Sequence, residues 1–417
     1  MMQTTERAYN SVATTVAQFP HPRWSSSMVW AINYLAVLTL ASTHLYFTPI
    51  YSMDSIQYMA NALLMEERDP VRIHEQVYSE LRRSVPREQL QHLLGDAGNT
   101  SDQDRSRAER AANPYHFAEF LPLFAIRPLY NQALYLVSKT GMGLVKAGIF
   151  ISVSSYFLLG VLLFAWIRPY TTPMLSFAAS LLCMISPPLL ALGRDTTSDA
   201  LATLVAFTAL YLIFEKRRIT PGMVLLLASI YFRTDFVVLA GPVLLVTWLQ
   251  QRIRFWHAAV LSALAVASVL CINHFAGDYG IKMLYYRNFV GTPVAPGEMV
   301  VNFSARDYVS AFRSGITKLV ESFFIPFLLL GIVGLRSKRF VPLMGATLAY
   351  VLLHFLILPN WQERWVGVFY LSMIVGTLPA AGNEMELSPI NMCSVSGARG
   401  VLERMKSRVL RSSTFVP

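Results

Sequence analysis

Four separated segments carry residue types that do acid–base or anion-binding chemistry. Asp54 stands in Tyr51-Ser-Met-Asp-Ser-Ile-Gln-Tyr58, and Arg194, Asp195 and Asp199 stand in Arg194-Asp-Thr-Thr-Ser-Asp199. Arg233 and Asp235 flank Thr234, and Glu363 and Arg364 lie between Trp361 and Trp365. A carboxylate can take a hydroxyl proton or hold a metal ion, whereas a guanidinium matches the oxygens of a phosphate. Each segment also has a plainer reading. Asp54 opens an amphipathic helix, where an acid favours the dipole and Tyr58, one turn on, shares its face. Asp199 starts a helix with Ser198 as its cap, Arg233 and Asp235 can pair across a tight turn, and Glu363 and Arg364 suit a solvated aromatic belt. Arg194 and Asp195 are harder to explain away, because their loop adds hydroxyls and helix-start N–H groups that together can hold phosphate oxygens.

The elements that position these groups are apolar helices. Of 417 residues, 54% are hydrophobic and 14% charged, more apolar surface than a soluble core needs. A membrane span takes roughly 20 apolar residues, and ten runs approach that length. They cover about 27–48, 146–167, 173–192, 199–214, 221–233, 236–250, 257–276, 317–335, 341–358 and 364–382. The expected fold is therefore an all-α, polytopic transmembrane helical bundle of about ten spans, with 1–382 as one membrane domain. The runs within 199–250 are short, so those after residue 220 also read as one broken helix or a re-entrant pair.

The net charge of +10 sits largely in clusters between apolar runs: Arg168, Lys216 to Arg218, Arg252 with Arg254, and Arg336 with Lys338 and Arg339. Such clusters mark cytoplasmic loops rather than a nucleic-acid surface, and with ten spans they fall on alternate loops. Both termini are then cytoplasmic, including a basic tail over 383–417, and no nucleic-acid partner is expected. Two long loops lie outside, 49–146 and 277–316. The first turns apolar between Tyr115 and Val137, where Pro122 and Pro128 interrupt the pattern and suggest an interfacial or re-entrant helix. The sequons at Asn99 and Asn302 also fall outside. With this threading, all four charged segments arrive at one outer face, each at a helix end, where charge is costly unless it is paired or faces a wet cavity.

Other chemistries lack a pattern. Cys183, Cys271 and Cys393 form no disulfide framework, and His44, His274 and His354 read as single interfacial residues. No P-loop, serine-hydrolase elbow, zinc-protease or thiol-redox motif occurs. The runner-up is a polytopic transporter or lipid flippase, which would place its charges near the midplane of repeated halves.

The arrangement resembles the GT-C superfamily of membrane glycosyltransferases. The likeness rests on the opening helix followed by a large outer loop with an early acid, Asp54, and on Arg194-Asp-x-x-x-Asp199. The runs Leu226-Leu-Ala-Ser-Ile-Tyr-Phe-Arg-Thr-Asp235 and Gln362-Glu-Arg-Trp-Val-Gly-Val-Phe-Tyr370 extend it. The resemblance implies transfer of a sugar, with inversion, from a polyprenyl-phosphate-linked donor to an acceptor on the extracytoplasmic face. It implies Asp54 as the proton acceptor and Arg194, Arg233 and Arg364 as phosphate ligands. Asp195, Asp199, Asp235 and Glu363 would orient those arginines or the sugar hydroxyls, and 117–135 would bind the lipid chain or form a lid; Tyr58, which shares the Asp54 face by helix spacing, would hydrogen-bond the same ligand. The expected partners are the lipid-linked donor and membrane lipids; a bacterial cytoplasmic membrane is the expected location, and use of a divalent metal ion stays open.

Overall fold

The computed structural model describes residues 26–95, 101–291, 296 and 304–387. Asn99, Asn302, the residues before Ser26 and the tail beyond Leu387 lie outside the described residues. Among those described the protein is all-α, and the only β contact is a bridge between Ile50 and Asp195.

The chain opens with α1 (Ser26–Phe47). The first long loop is itself helical: α2 (Met53–Leu63), α3 (Pro70–Ser84), α4 (Arg87–Leu94), α5 (Asp102–Ala112), α6 (Pro114–Phe120), α7 (Pro122–Ala125) and α8 (Pro128–Val137). Prolines stand at the starts of α3, α6, α7 and α8, where the missing N–H would have been unsatisfied anyway. They cut the apolar stretch after Tyr115 into short pieces. Those pieces do not lie on the surface: Phe117, Phe120, Phe124, Tyr130 and Leu134 are buried against α2, α3, α9 and α13. The segment read as interfacial or re-entrant therefore forms a packed wall.

The bundle continues with α9 (Leu144–Ile167), α10 (Pro173–Met184), α11 (Pro187–Arg194), α12 (Asp199–Leu210), α13 (Ile219–Phe232), α14 (Val237–Leu249) and α15 (Phe255–Phe275). It ends with α16 (Gly280–Phe289), α17 (Ala305–Glu321), α18 (Phe324–Gly334), α19 (Val341–Ile357) and α20 (Gly367–Leu387). Three helices, α1, α9 extended to Tyr170, and α15, are long and apolar enough to cross a membrane. The count rises to five if the bent pairs α10–α11 (63°) and α17–α18 (65°) each form one span. Helices α13, α14 and α19 are apolar but shorter.

Close approach of α1 and α9 needs a glycine. Tyr34 donates to the carbonyl of Gly160 (2.9 Å), and a Cβ there would meet Leu38 at 2.8 Å. The helices run between two ends of different chemistry. At one, Arg168 donates to Ser27 (2.7 Å), Arg339 pairs with Glu215 (3.2 Å), and Arg252 donates to the Ile213 carbonyl (3.0 Å), which gathers the basic loops. At the other lie Asp54, Asp195, Arg233 and Arg364.

Candidate functional site

The second end is assembled by a backbone clip. Ile50 N–H donates to the Arg194 carbonyl (2.9 Å), and Thr196 N–H donates back to the Ile50 carbonyl (3.3 Å). The Arg194 guanidinium adds a bond to the Thr48 carbonyl (2.8 Å). These bonds fasten the exit of α1 to the exit of α11, so Ser52 can cap α2 and aim Asp54 at the Asp195–Asp199 loop. Arg194 is thus a tie between two helix ends and does not line the cavity beside Asp54.

Asp199 is the centre of an ion network. Its Oδ1 receives Arg233 (2.5 Å), its Oδ2 lies 3.3 Å from Arg364 Nε, and Thr197 donates to it (3.0 Å). Arg233 also holds Asp235 (2.7 Å), so the turn pairing expected for these two exists within a larger set. Arg364 contacts Asp195 and lies 3.5 Å from Asp54, which in turn accepts from Arg287 (3.2 Å). Ser198 does not cap α12 through its side chain, and Asp199 serves arginines rather than helix N–H groups. His354 is not a lone interfacial residue either: its Nε2 sits 2.9 Å from Asp235.

A cavity of about 320 Å³ opens beside this network, lined by Asp54, Gln57, Asp235, His354 and six arginines: 107, 110, 127, 233, 287 and 364. Four of the six are neutralised, Arg107 by Asp104 (3.3 Å) and the others by the pairs above. Arg110 and Arg127 have no carboxylate within ion-pair distance among the described residues. Their guanidiniums lie over the Phe120 (3.9 Å) and Tyr58 (5.1 Å) rings. Burial, and then the neighbouring Arg287, push Arg110 down to about 10; burial also lowers Arg127, outweighing the more distant Asp199, Asp54 and Asp235.

The carboxylates differ in proton affinity. Burial alone would raise Asp54, but Arg287, Arg364 and Arg127 outweigh it and hold the group below its ordinary value. For Asp195, burial outweighs Arg364, with Asp199 and Asp54 adding to the rise, and its carboxyl is pushed up to about 6. Its Oδ1 is buried with no hydrogen-bond partner among the described residues.

Two expected residues face elsewhere. Tyr58 is fully buried, edge-on to Phe124 and Tyr130, and forms part of the wall behind the cavity; Gln57 takes the lining position. Glu363 accepts from the Phe323 N–H (2.6 Å) at the start of α18, a helix-end contact away from the cavity. Arg107, Arg110, Arg127 and Arg287 were not singled out by the sequence, and His354 was read only as interfacial. A further triplet, Asp102-Gln103-Asp104, opens α5, where Gln103 lines the cavity and Asp104 serves Arg107. Among the described residues no three His, Cys, Asp or Glu groups converge as metal ligands.

An apolar groove of about 310 Å³ adjoins the cavity. It runs along Val237 and Val238 of α14, Val269 of α15, Tyr285 of α16 and Ile357 of α19. Leu123, Ile126, Thr234, Asp235, Leu284, His354 and Leu358 border both spaces, so the two are continuous. In comparisons with known proteins, no family model, curated protein or solved structure matches the chain.

Proposed function

We propose that the protein is an integral membrane glycosyltransferase of GT-C type, which transfers a sugar from a polyprenyl-phosphate-linked donor at the extracytoplasmic face. The reading is supported most by one observation: two guanidiniums without carboxylates, Arg110 and Arg127, face a polar cavity that continues into an apolar groove. That pairing suits a ligand with an anionic head and an aliphatic tail. The donor phosphate sits against Arg110 and Arg127 with Arg287 beside them, and the prenyl chain follows α14 and α15.

The chemistry then assigned to Asp54 is proton acceptance. As the acceptor oxygen bonds to the anomeric carbon, the bond from that carbon to phosphate oxygen breaks, and its electron pair leaves on the lipid phosphate. The acceptor proton passes to Asp54. A carboxylate held low is a weak base, so this transfer occurs late, once the attacking hydroxyl has become acidic. The guanidiniums stabilise the charge that accumulates on phosphate. Arg233, flanked by Asp199 and Asp235, and Arg364, flanked by Asp54, Asp195 and Asp199, set the positions of the acids.

The same reading takes the helices as ten passes of a bacterial cytoplasmic membrane, with the basic loops and both termini inside. Short passes fit because α12 gains a turn through Tyr211–Glu215 and because non-helical backbone is tolerated at membrane depth where it lines a polar cavity.

The test is donor binding to the full chain in nanodiscs, followed by thermal shift. Polyprenyl phosphate should bind at least about tenfold more tightly than the matching prenol, a difference of roughly 1.4 kcal/mol. Arg127→Ala should abolish the difference. Equal binding of phosphate and alcohol would remove the lipid-phosphate reading.

A further inference from the structure

A groove of about 880 Å³ lies at the opposite end from the candidate site, between α13 and α15. The two helices are joined nearer the site end, where Tyr231 donates to Ser268 (3.1 Å), and the groove opens between their other halves. Val224 of α13 and Val260 of α15 form its facing walls, and both are more than half exposed.

The rim has the opposite character. The turn from α14 to α15 is tight: Gln251 adopts φ 56°, its N–H donates to the Trp248 carbonyl (2.7 Å), and Arg252 N–H donates to Thr247 (3.0 Å). This turn presents Arg252 and Arg254 over the mouth of the groove. Arg252 is crowded by cations: its pKa is lowered by burial and then by Arg217 and Arg339. The nearby acid, Glu215, is already engaged by Arg339 and by Tyr170, which donates to it at 2.7 Å. Trp248, Phe255 and Trp256 stack edge-on around the opening, and Trp256 is 74% exposed, the composition of a membrane–water boundary.

We propose that this groove binds an anionic glycerophospholipid, with its phosphate against Arg254 and Arg252 and one acyl chain along the Val224 and Val260 walls. Charge complementarity selects the occupant. A zwitterionic lipid satisfies the walls and returns a cation to an already cationic rim, and a soluble anion satisfies the rim and leaves the walls bare. A lipid of net negative charge satisfies both, and the cytoplasmic leaflet supplies such lipids. The site does not depend on the catalytic proposal, but the leaflet that supplies its lipid rests on the topology proposed above.

The experiment uses the full chain in detergent, titrated with phosphatidylglycerol, with phosphatidylcholine of the same chains and with inorganic phosphate, read by native mass spectrometry and thermal shift. Phosphatidylglycerol should bind more tightly than phosphatidylcholine by about fivefold for each engaged guanidinium. Arg254→Gln should cut that preference by about fivefold, and Arg254→Lys should restore it. Val224→Trp, which fills the groove, should reduce retention of both lipids. Equal affinity for the two lipids would overturn the proposal. So would an unchanged preference in Arg254→Gln, or stabilisation by inorganic phosphate that matches the lipid.

Discussion

Asp199 is almost fully buried and carries two arginines, so its removal leaves charge in a dry place. Loss of one member of such a pair costs about 3–5 kcal/mol, even though the pair itself adds little stability over an apolar substitute. Asp199→Ala should therefore lower the melting temperature sharply, and pairing it with Arg233→Met should recover part of the loss, measured by thermal unfolding in nanodiscs. Arg233→Ala should behave as a stability mutant, whereas Arg127→Ala should keep its melting temperature and lose donor binding. Asp54→Asn should cut sugar transfer by about 10²–10⁴-fold, assayed as release of polyprenyl phosphate. Asp195 predicts a pH effect of definite sign. Its folded pKa, about 6, lies above the ordinary carboxyl value, so the protonated form favours folding. That contribution is complete below about pH 4 and lost as pH rises through 6. The melting temperature of Asp195→Asn should accordingly fall less than the parent's between about pH 5 and pH 7. A larger fall in the variant would refute the assignment. The four charged segments were legible in the sequence because charge inside apolar runs is expensive and stands out. Arg110, Arg127 and Arg287 were not, since each sits in a loop already rich in charge or aromatics, where a solvated surface is the ordinary expectation.

Proline placement explains why the first long loop became a wall. Pro114, Pro122 and Pro128 each begin a helix, so the chain turns twice within fifteen residues and brings Phe124 and Arg127 to the cavity from α7 and the start of α8. The breaks at Pro122 and Pro128 were legible; the burial of the faces between them was not, because an apolar helix reads alike whether it meets protein or lipid. The same limit affected α15, which has few buried side chains, and α9, which is buried along much of its length, although their compositions are similar. The clip between Ile50 and Asp195 had no sequence signal, since two backbone segments pair through groups that every residue carries. It yields a sharp expectation at this scale. Ile50→Pro removes the N–H that Arg194 accepts and should reduce donor turnover more than donor binding, by displacing Asp54 from the cavity. Unchanged turnover in that variant would mean that Asp54 is positioned by its arginines alone.

Over the whole molecule, the charged groups divide between two ends. The threading proposed above makes the basic end cytoplasmic, which single-cysteine labelling in a cysteine-free background can check. Lys338→Cys and Asp278→Cys should react with impermeant reagents from opposite sides of sealed vesicles; reaction from one side would require a different count of passes. The bundle is also uneven in height. Helices α13 and α14, of 14 and 13 residues, rise only about 20 Å, against roughly 30 Å for the hydrocarbon layer. Lipid beside them has to thin or tilt to match, at a cost that grows with acyl length. If α13 and α14 are full passes, as proposed, the flank where a prenyl chain would enter is a dimple in the bilayer, with headgroups several ångströms closer to the midplane than around α9. A substrate arriving along that flank has part of its descent made for it by the shape of the membrane, so shorter-chain lipids should speed its entry and longer ones should slow it.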